Sequence, residues 1–263
     1  ERRVTIRHDE TDAPVPAQWL RIPVADWGTA ARVAAELGWR WAGLWGDPRG
    51  EVCTVYALLA LGSAHIVLGT EVRWSEPVVA SHTPFFPGAN HMERHTSDLL
   101  GIRFEGHPQA GQRWTRHRAW DIDTHPLRPE YPVGGTGSER TPADTDYPFA
   151  RVHGSGVHEI PVGPVHAGII EPGHFRFQAV GEDVLALETR LGYVHKGIEK
   201  LASGRDPAEL ACLAGRVSGD STVAHAWAAC QAMERAVGVE MPARGLYLRG
   251  LLAERERVAN HLG

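Results

Sequence analysis

Apolar positions recur at two different periods along the 263 residues, and the changes of period mark out the elements. Between Trp27 and Gly38, the residues Ala30, Val33, Ala34 and Leu37 fall at helical spacing, and Gly38 can end the helix. Val52–Leu61 and Ala64–Val72 are β-rich, and Gly62-Ser63 between them predicts a hairpin. Asn90–Leu100 reads as a helix that closes at Gly101. A second hairpin follows: Phe175, Phe177 and Ala179 alternate, Gly181-Glu182-Asp183 turns, and Val184–Leu191 returns. Asp220 or Ser221 can N-cap a helix running to about Val237, and its Val223, Trp227, Cys230 and Val237 predict burial. Pro242 opens a last helix with an apolar stripe of Leu248, Leu251, Leu252, Ala259 and Leu262. Arg249, Glu254, Arg255, Glu256 and Arg257 cover its other side. A long amphipathic helix needs a facing partner. This one is still running at Gly263, so the chain is expected to be an N-terminal portion, or to take the rest of its bundle from elsewhere.

Proline and glycine divide this pattern. Residues 126–157 hold Pro126, Pro129, Pro132, Pro142 and Pro148 among Gly134, Gly135, Gly137, Gly154 and Gly156, the composition of a solvated linker. Gly134-Gly-Thr-Gly-Ser138 is rich in glycine, but no Gly-Lys-Ser/Thr follows, so a tether is preferred to a phosphate loop. The division is then residues 1–125, a linker at 126–157, and residues 158–263. The expected class is α+β: an α/β sandwich-like first domain, then a β-hairpin platform leading into a helical bundle. Glu1–Pro16 reads as a loose terminus. Trp39, Trp41 and Trp45 read as packing residues.

Composition removes some functions. At 43% hydrophobic and 22% charged the chain is an ordinary globular sequence, and a net charge of −5 gives a nucleic-acid partner no support. No apolar run approaches the ~20 residues of a membrane span. Cys53, Cys212 and Cys230 are far apart, which argues for a reducing compartment and against a cysteine-bound cluster.

Two stretches are dense in chemistry. The first runs from His82 to Pro108 and includes His91-Met-Glu-Arg-His95. His91 and His95 share a helical face, which suits zinc, but the glutamate is one place late for His-Glu-x-x-His, and packing is preferred. The second runs from Gly163 to Leu201 and gathers His166, Glu171, His174, Arg176, His195, Lys196, Glu199 and Lys200 around the hairpin. Such groups make either a structural ion-pair network or a proton path, and isolated histidines more often satisfy buried partners.

These stretches carry a resemblance. Glu93, Arg94, Asp98, Leu99, Gly101, Ile102, Phe104, Gly106, His107 and Pro108 resemble the signature of the C-type subunit of respiratory complex I. Gly163-Pro-x-His166, Glu171-Pro-Gly-His-Phe-Arg-Phe177 and Gly192-Tyr-Val-His-Lys-Gly-Ile-Glu-Lys200 resemble the complex I D-type subunit and the large subunit of hydrogenase-4-type nickel-iron hydrogenases. The resemblance implies a C-type/D-type fusion in which Glu93, Arg94, Asp98 and His107 belong to a docking surface. In hydrogenases the next helix opens with Arg-x-Cys-Gly-x-Cys and a later His. Here Arg216, Gly219 and His225 match, but Ser218 and Ser221 stand at the cysteine positions. A serine hydroxyl is a poor substitute for thiolate at nickel, so no metal ligand set is expected.

The resemblance further implies a peripheral subunit of a membrane-associated NADH dehydrogenase- or hydrogenase-like complex on the cytoplasmic face. It would have an iron-sulfur subunit and membrane subunits as neighbours and no cofactor of its own. Electrons from the neighbour's cluster would reach a quinone-type acceptor. His166 matches the histidine that contacts the quinone, and imidazole suits donation to a carbonyl. His174, Glu171, Arg176, His195 and Lys196 would line that pocket. The partner tyrosine falls near Leu213, which has no hydroxyl. A non-catalytic assembly subunit is the alternative, and an independent zinc hydrolase built on His91 and His95 is a third.

Overall fold

A computed structural model describes residues 17–115, 121, 123–135, 147, 149–165 and 171–263, and the backbone of 7–8. The first domain is built on a five-stranded sheet. Its strands are β1 (Arg7–His8), β2 (Ala17–Arg21), β3 (Arg40–Arg49), β4 (Val52–Leu61) and β5 (Ala64–Arg73), in spatial order β1-β2-β5-β4-β3. β2 and β5 run parallel, and the other neighbours are antiparallel. β4 alternates strictly enough to give the sheet two faces, with Cys53, Val55, Ala57 and Leu59 all fully buried on one of them.

Helix α1 (Trp27–Glu36) meets that face through Trp27, Ala31 and Ala34. The apolar stripe expected at Ala30, Val33, Ala34 and Leu37 is therefore rotated: Val33 and Leu37 are exposed, because the large Trp27 sets the buried face. Helix α2 (Asn90–Leu100) lies on the same core through Leu99 and Leu100. Its close approach to β3 requires glycine, since a Cβ at Gly46 would overlap the Leu100 side chain. A short parallel pair, β6 (Val78–Ala80) with β7 (Arg103–Glu105), brackets α2 in sequence and adds Val79 and Phe104 to the core.

The second part carries a three-stranded antiparallel sheet in the order β10-β9-β8, formed by β8 (Val157–Val162), β9 (His174–Val180) and β10 (Asp183–Arg190). The hairpin β9–β10 is the one expected from the alternation. β8 begins where the expected linker ends, and it contains Pro161, which an edge strand tolerates. Four helices follow: α3 (Ile198–Ala202), α4 (Pro207–Ala214), α5 (Thr222–Ala236) and α6 (Ala243–Leu262). Among the described residues no helix is long and apolar enough to cross a membrane.

Four expectations need correction. The start of the supposed tether belongs to the first domain: Leu127 packs against the core and its N–H bonds Leu99 O at 2.9 Å. Arg7–His8, inside the supposed loose terminus, pairs with β2; the remainder of 1–16 lies outside the described residues, as do 136–138 of the glycine run. The spacing predicts a well-buried α5, yet none of its residues is buried, and Leu251, Leu252 and Leu262 of α6 are exposed too. Of the three tryptophans, Trp39 and Trp41 pack on the core, whereas Trp45 is half out and stacks on Tyr56 at 5.4 Å between ring centres.

Candidate functional site

α2 carries charge into a buried setting. Glu93 is fully buried, and its carboxylate accepts from Ser81 Oγ (2.6 Å), His82 N (2.6 Å) and Thr83 Oγ1 (2.8 Å). Burial pushes its carboxyl above the usual range, opposed by these bonds. Arg94 donates to Gln112 O (2.9 Å) and Arg113 O (3.1 Å) and lies over the Trp114 ring at 5.1 Å. Asp98 Oδ2 accepts from the backbone N–H groups of Trp114 and Thr115, each at 2.8 Å. His107 accepts at Nδ1 from Gln109 N (2.9 Å), which leaves Nε2–H to donate to Asn90 O at 3.2 Å. Burial holds this imidazole below its ordinary pKa.

The docking expectation for Glu93, Arg94, Asp98 and His107 is thus corrected. All four are buried and spend their bonding groups within the chain, mainly on segments 81–83 and 107–115, with Asn90 and Tyr147 as further partners. They shape the surface that those loops present and do not form it themselves. The helical face proposed for zinc also divides. His91 stacks on Trp114, with 4.0 Å between ring centres and 6° between planes, while His95 Nε2 faces Glu199 Oε1 at 3.7 Å. Among the described residues no group of three or more His, Cys, Asp or Glu is arranged to hold a metal ion.

The motif-rich second part forms two clusters. In the first, His174 opens β9 and is buried; Arg176 Nε donates to its Nε2 at 3.3 Å, so Nδ1–H faces Gly163 O at 3.4 Å. Arg176 also pairs with Glu159 (3.2 Å) on β8 and lies 4.0 Å from the centre of the Phe149 ring. Gln178 Nε2 donates to the same Glu159 at 2.8 Å. His174 and Arg176 therefore brace the sheet rather than line an open pocket.

The second cluster joins three segments. Lys196 Nζ pairs with Glu171 at one side and donates to Arg216 O (3.4 Å) and Val217 O (3.0 Å) at the other. His195 Nδ1 accepts from Gly197 N at 3.2 Å, which orders the turn into α3. Lys196 thereby holds Glu171, just ahead of β9, against the turn that contains Arg216, Ser218 and Ser221. His166 lies outside the described residues. Across a cavity of about 260 Å³, His195, Lys196 and Lys200 face Pro126, Leu127 and Tyr131 of the first domain.

Ser221 occupies the N-cap position of α5 but makes no side-chain cap; Asp220 does not cap it either. Glu256 of α6 does so instead, accepting from Val223 N (2.6 Å) and Ala224 N (3.1 Å). Asn260 Nδ2 bonds Asp220 O at 2.6 Å. These residues escaped sequence reasoning because a cap supplied from 33 positions away leaves no local signal. Arg216 and His225 are exposed, and Cys212 and Cys230 lie on α4 and α5 outside the 216–221 turn.

The family described as respiratory-chain NADH dehydrogenase, 30 Kd subunit, matches residues 3–137. The family described as nickel-dependent hydrogenase matches residues 196–262. Hydrogenase-4 component G of Escherichia coli (strain K12) is 36% identical over 216 residues, covering 81% of this chain and 39% of that protein. Formate hydrogenlyase subunit 5 of the same organism is 34% identical over 200 residues, with 75% and 35% covered. The C/D subunit of the NADH-quinone oxidoreductase of Phocaeicola vulgatus is 30% identical over 216 residues, with 75% and 41% covered. The chain thus spans about two fifths of the length of these relatives.

Proposed function

Because the chain belongs to the respiratory-chain NADH dehydrogenase 30 Kd subunit family and joins to it a stretch of nickel-dependent hydrogenase type, we propose that it serves in the peripheral arm of a membrane-associated NADH dehydrogenase- or hydrogenase-4-like oxidoreductase. In this role it abuts an iron-sulfur subunit and membrane subunits on the cytoplasmic face. Two electrons from the neighbour's cluster and two protons convert a quinone-type acceptor to the quinol beside the 163–174 loop. His166 hydrogen-bonds a quinone carbonyl there and supplies one of the protons. Support comes chiefly from Lys196, which joins Glu171, close in sequence to His166, to the Arg216 and Val217 carbonyls next to Ser218.

The residues at this rim do not fit a nickel-iron centre. The two positions that would carry thiolates hold Ser218 and Ser221, and a neutral hydroxyl neither matches a soft metal nor carries the required charge. The cysteines the chain does possess lie elsewhere. No step of the proposed reaction therefore passes through nickel.

A scaffold role is the second reading, and the loss of both thiolates favours it. The two are separated by His166→Ala in the intact complex. The catalytic reading expects assembly to persist while quinone reduction falls about a hundredfold, in the range of a positioned proton donor. Unchanged electron transfer in a fully assembled complex would leave only the scaffold.

A further inference from the structure

Two relays lead from α2 to the segment Gly192–Leu201 that carries Lys196. The first starts at Asp98, which is buried and takes the N–H groups of both Trp114 and Thr115. The Thr115 carbonyl in turn lies against Gly192, so closely that a Cβ there would stand 2.6 Å from the Thr115 carbonyl carbon. Gly192 also has φ 82°, so a side chain at this position meets both an unfavourable backbone conformation and a rigid obstacle.

The second relay uses the end of α2. Helices leave their last carbonyls without intrahelical partners. Here Asp98 O faces His125 Nδ1 (3.0 Å), Leu99 O accepts from Leu127 N (2.9 Å), and Leu100 O accepts from Arg128 Nε (2.9 Å). Arg128 O then accepts from Lys200 Nζ at 2.8 Å. One turn earlier on α2, His95 reaches Glu199 at 3.7 Å.

We propose that α2 sets the position of the Gly192–Leu201 segment, with Asp98 and Gly192 as positioning residues that hold Lys196 where it meets Glu171 and the Arg216 and Val217 carbonyls. The buried charges of α2 then do more than stabilise the first domain: they register the second part against it. Backbone-to-backbone contact at Gly192 gives this registration little freedom to drift, unlike a contact between two long side chains. The effect on turnover rests on the function proposed above; the positional claim does not.

Hydrogen exchange of the full chain in its assembled complex tests it. Gly192→Ala is expected to speed exchange at 192–201 by about tenfold or more, while the amides at 81–83 around Glu93 stay protected. Gly204 has φ 77° with nothing within 4 Å of a built Cβ. Gly204→Ala thus carries the same conformational burden without the obstacle, and it should leave 192–201 unchanged. Asp98→Ala should match Gly192→Ala, and Asp98→Asn, which keeps an oxygen acceptor for both N–H groups, should restore the protection. The idea is overturned if 192–201 is unaffected by Asp98→Ala, if Gly204→Ala acts like Gly192→Ala, or if Asp98→Asn is as damaging as alanine. Should Gly192→Ala fail to assemble, the Asp98 pair decides alone. Faster exchange with unchanged quinone turnover would keep the positional claim and sink the catalytic reading.

Discussion

Glu256, in the last two turns of α6, places a carboxylate oxygen 2.6 Å from the backbone nitrogen of Val223 in the first turn of α5. A carboxylate at a helix N-terminus satisfies amides without intrahelical partners and meets the positive end of the helix dipole. Glu256→Ala is expected to destabilise the chain by about 1 kcal/mol, the usual worth of an N-cap, and Glu256→Gln by less. Denaturant unfolding gives the size, and exchange at 222–224 gives the place. Equal effects of the two substitutions would remove the charge from the explanation.

Arg94 serves several acceptors through one planar fork, and its side chain is buried, with bonds to the Gln112 and Arg113 carbonyls and to the Tyr147 hydroxyl. Removing it orphans the Gln112 and Arg113 carbonyls, so Arg94→Ala should cost about 3 kcal/mol. Lysine brings charge without the fork, and Arg94→Lys should recover only a small part of the loss. Urea unfolding checks the magnitude, and early protease cleavage within 107–115 checks the location.

His82 is fully buried and stacked on Trp27, with 4.4 Å between ring centres. Burial pushes its pKa down to about 4, a fall that the Trp27 backbone opposes only in part. The folded state therefore binds a proton less readily than the unfolded chain, whose histidine titrates near 6.5. Stability from this group is complete above that pH and is lost as pH falls toward 4, a change of roughly 3 kcal/mol at most. His82→Phe keeps the stacking and should flatten the pH dependence of unfolding in that window. A wild-type profile that is itself flat there would refute the assignment.

Lys196 and Glu171 are both substantially exposed, at 36% and 50% of their side-chain areas. Their pairing should therefore contribute below ~1 kcal/mol to stability. If Lys196 orders the rim as proposed, Lys196→Ala should nonetheless lower quinone turnover of the assembled complex about tenfold, through misplacement of reacting groups. Thermal unfolding and steady-state rates on the same preparation separate the two effects. A large loss of stability with no loss of turnover would contradict the prediction.

Nickel and iron can be counted directly on this chain after separation from its native partners. The Ser218 and Ser221 hydroxyls lead to the expectation of no stoichiometric nickel, and chelator treatment of the complex should leave its quinone turnover unchanged. Stoichiometric nickel would overturn the assignment of these two serines to the thiolate positions.

Much of the fold was legible because it is written locally. The β-rich runs Val52–Leu61 and Ala64–Val72 state where β4 and β5 lie, and Gly62-Ser63 states where the chain turns back. The helix from Asn90 to Leu100 and its end at Gly101 follow from spacing and a left-handed cap, and the β9–β10 hairpin from alternation and a turn. The motif residues were found in the same way, since each run is contiguous. The stripe of α1 was misread because size, not spacing, decided it: Trp27 outweighs Val33 and Leu37.

The sequence by itself determined where α1, β4, β5, α2, the β9–β10 hairpin, α5 and α6 lie, which residue types are gathered in the two dense stretches, and that serine stands at 218 and 221. All of these depend on residues within a few positions of one another. Only the tertiary structure decided that Glu93, Arg94, Asp98 and His107 face inward, that Lys196 joins Glu171 to the 216–217 turn, that Glu256 caps α5, and that Gly192 rests on Thr115. Each of those depends on a partner distant in sequence. Burial and the demand of buried polar groups for partners select it, and neither acts until the chain has closed on itself.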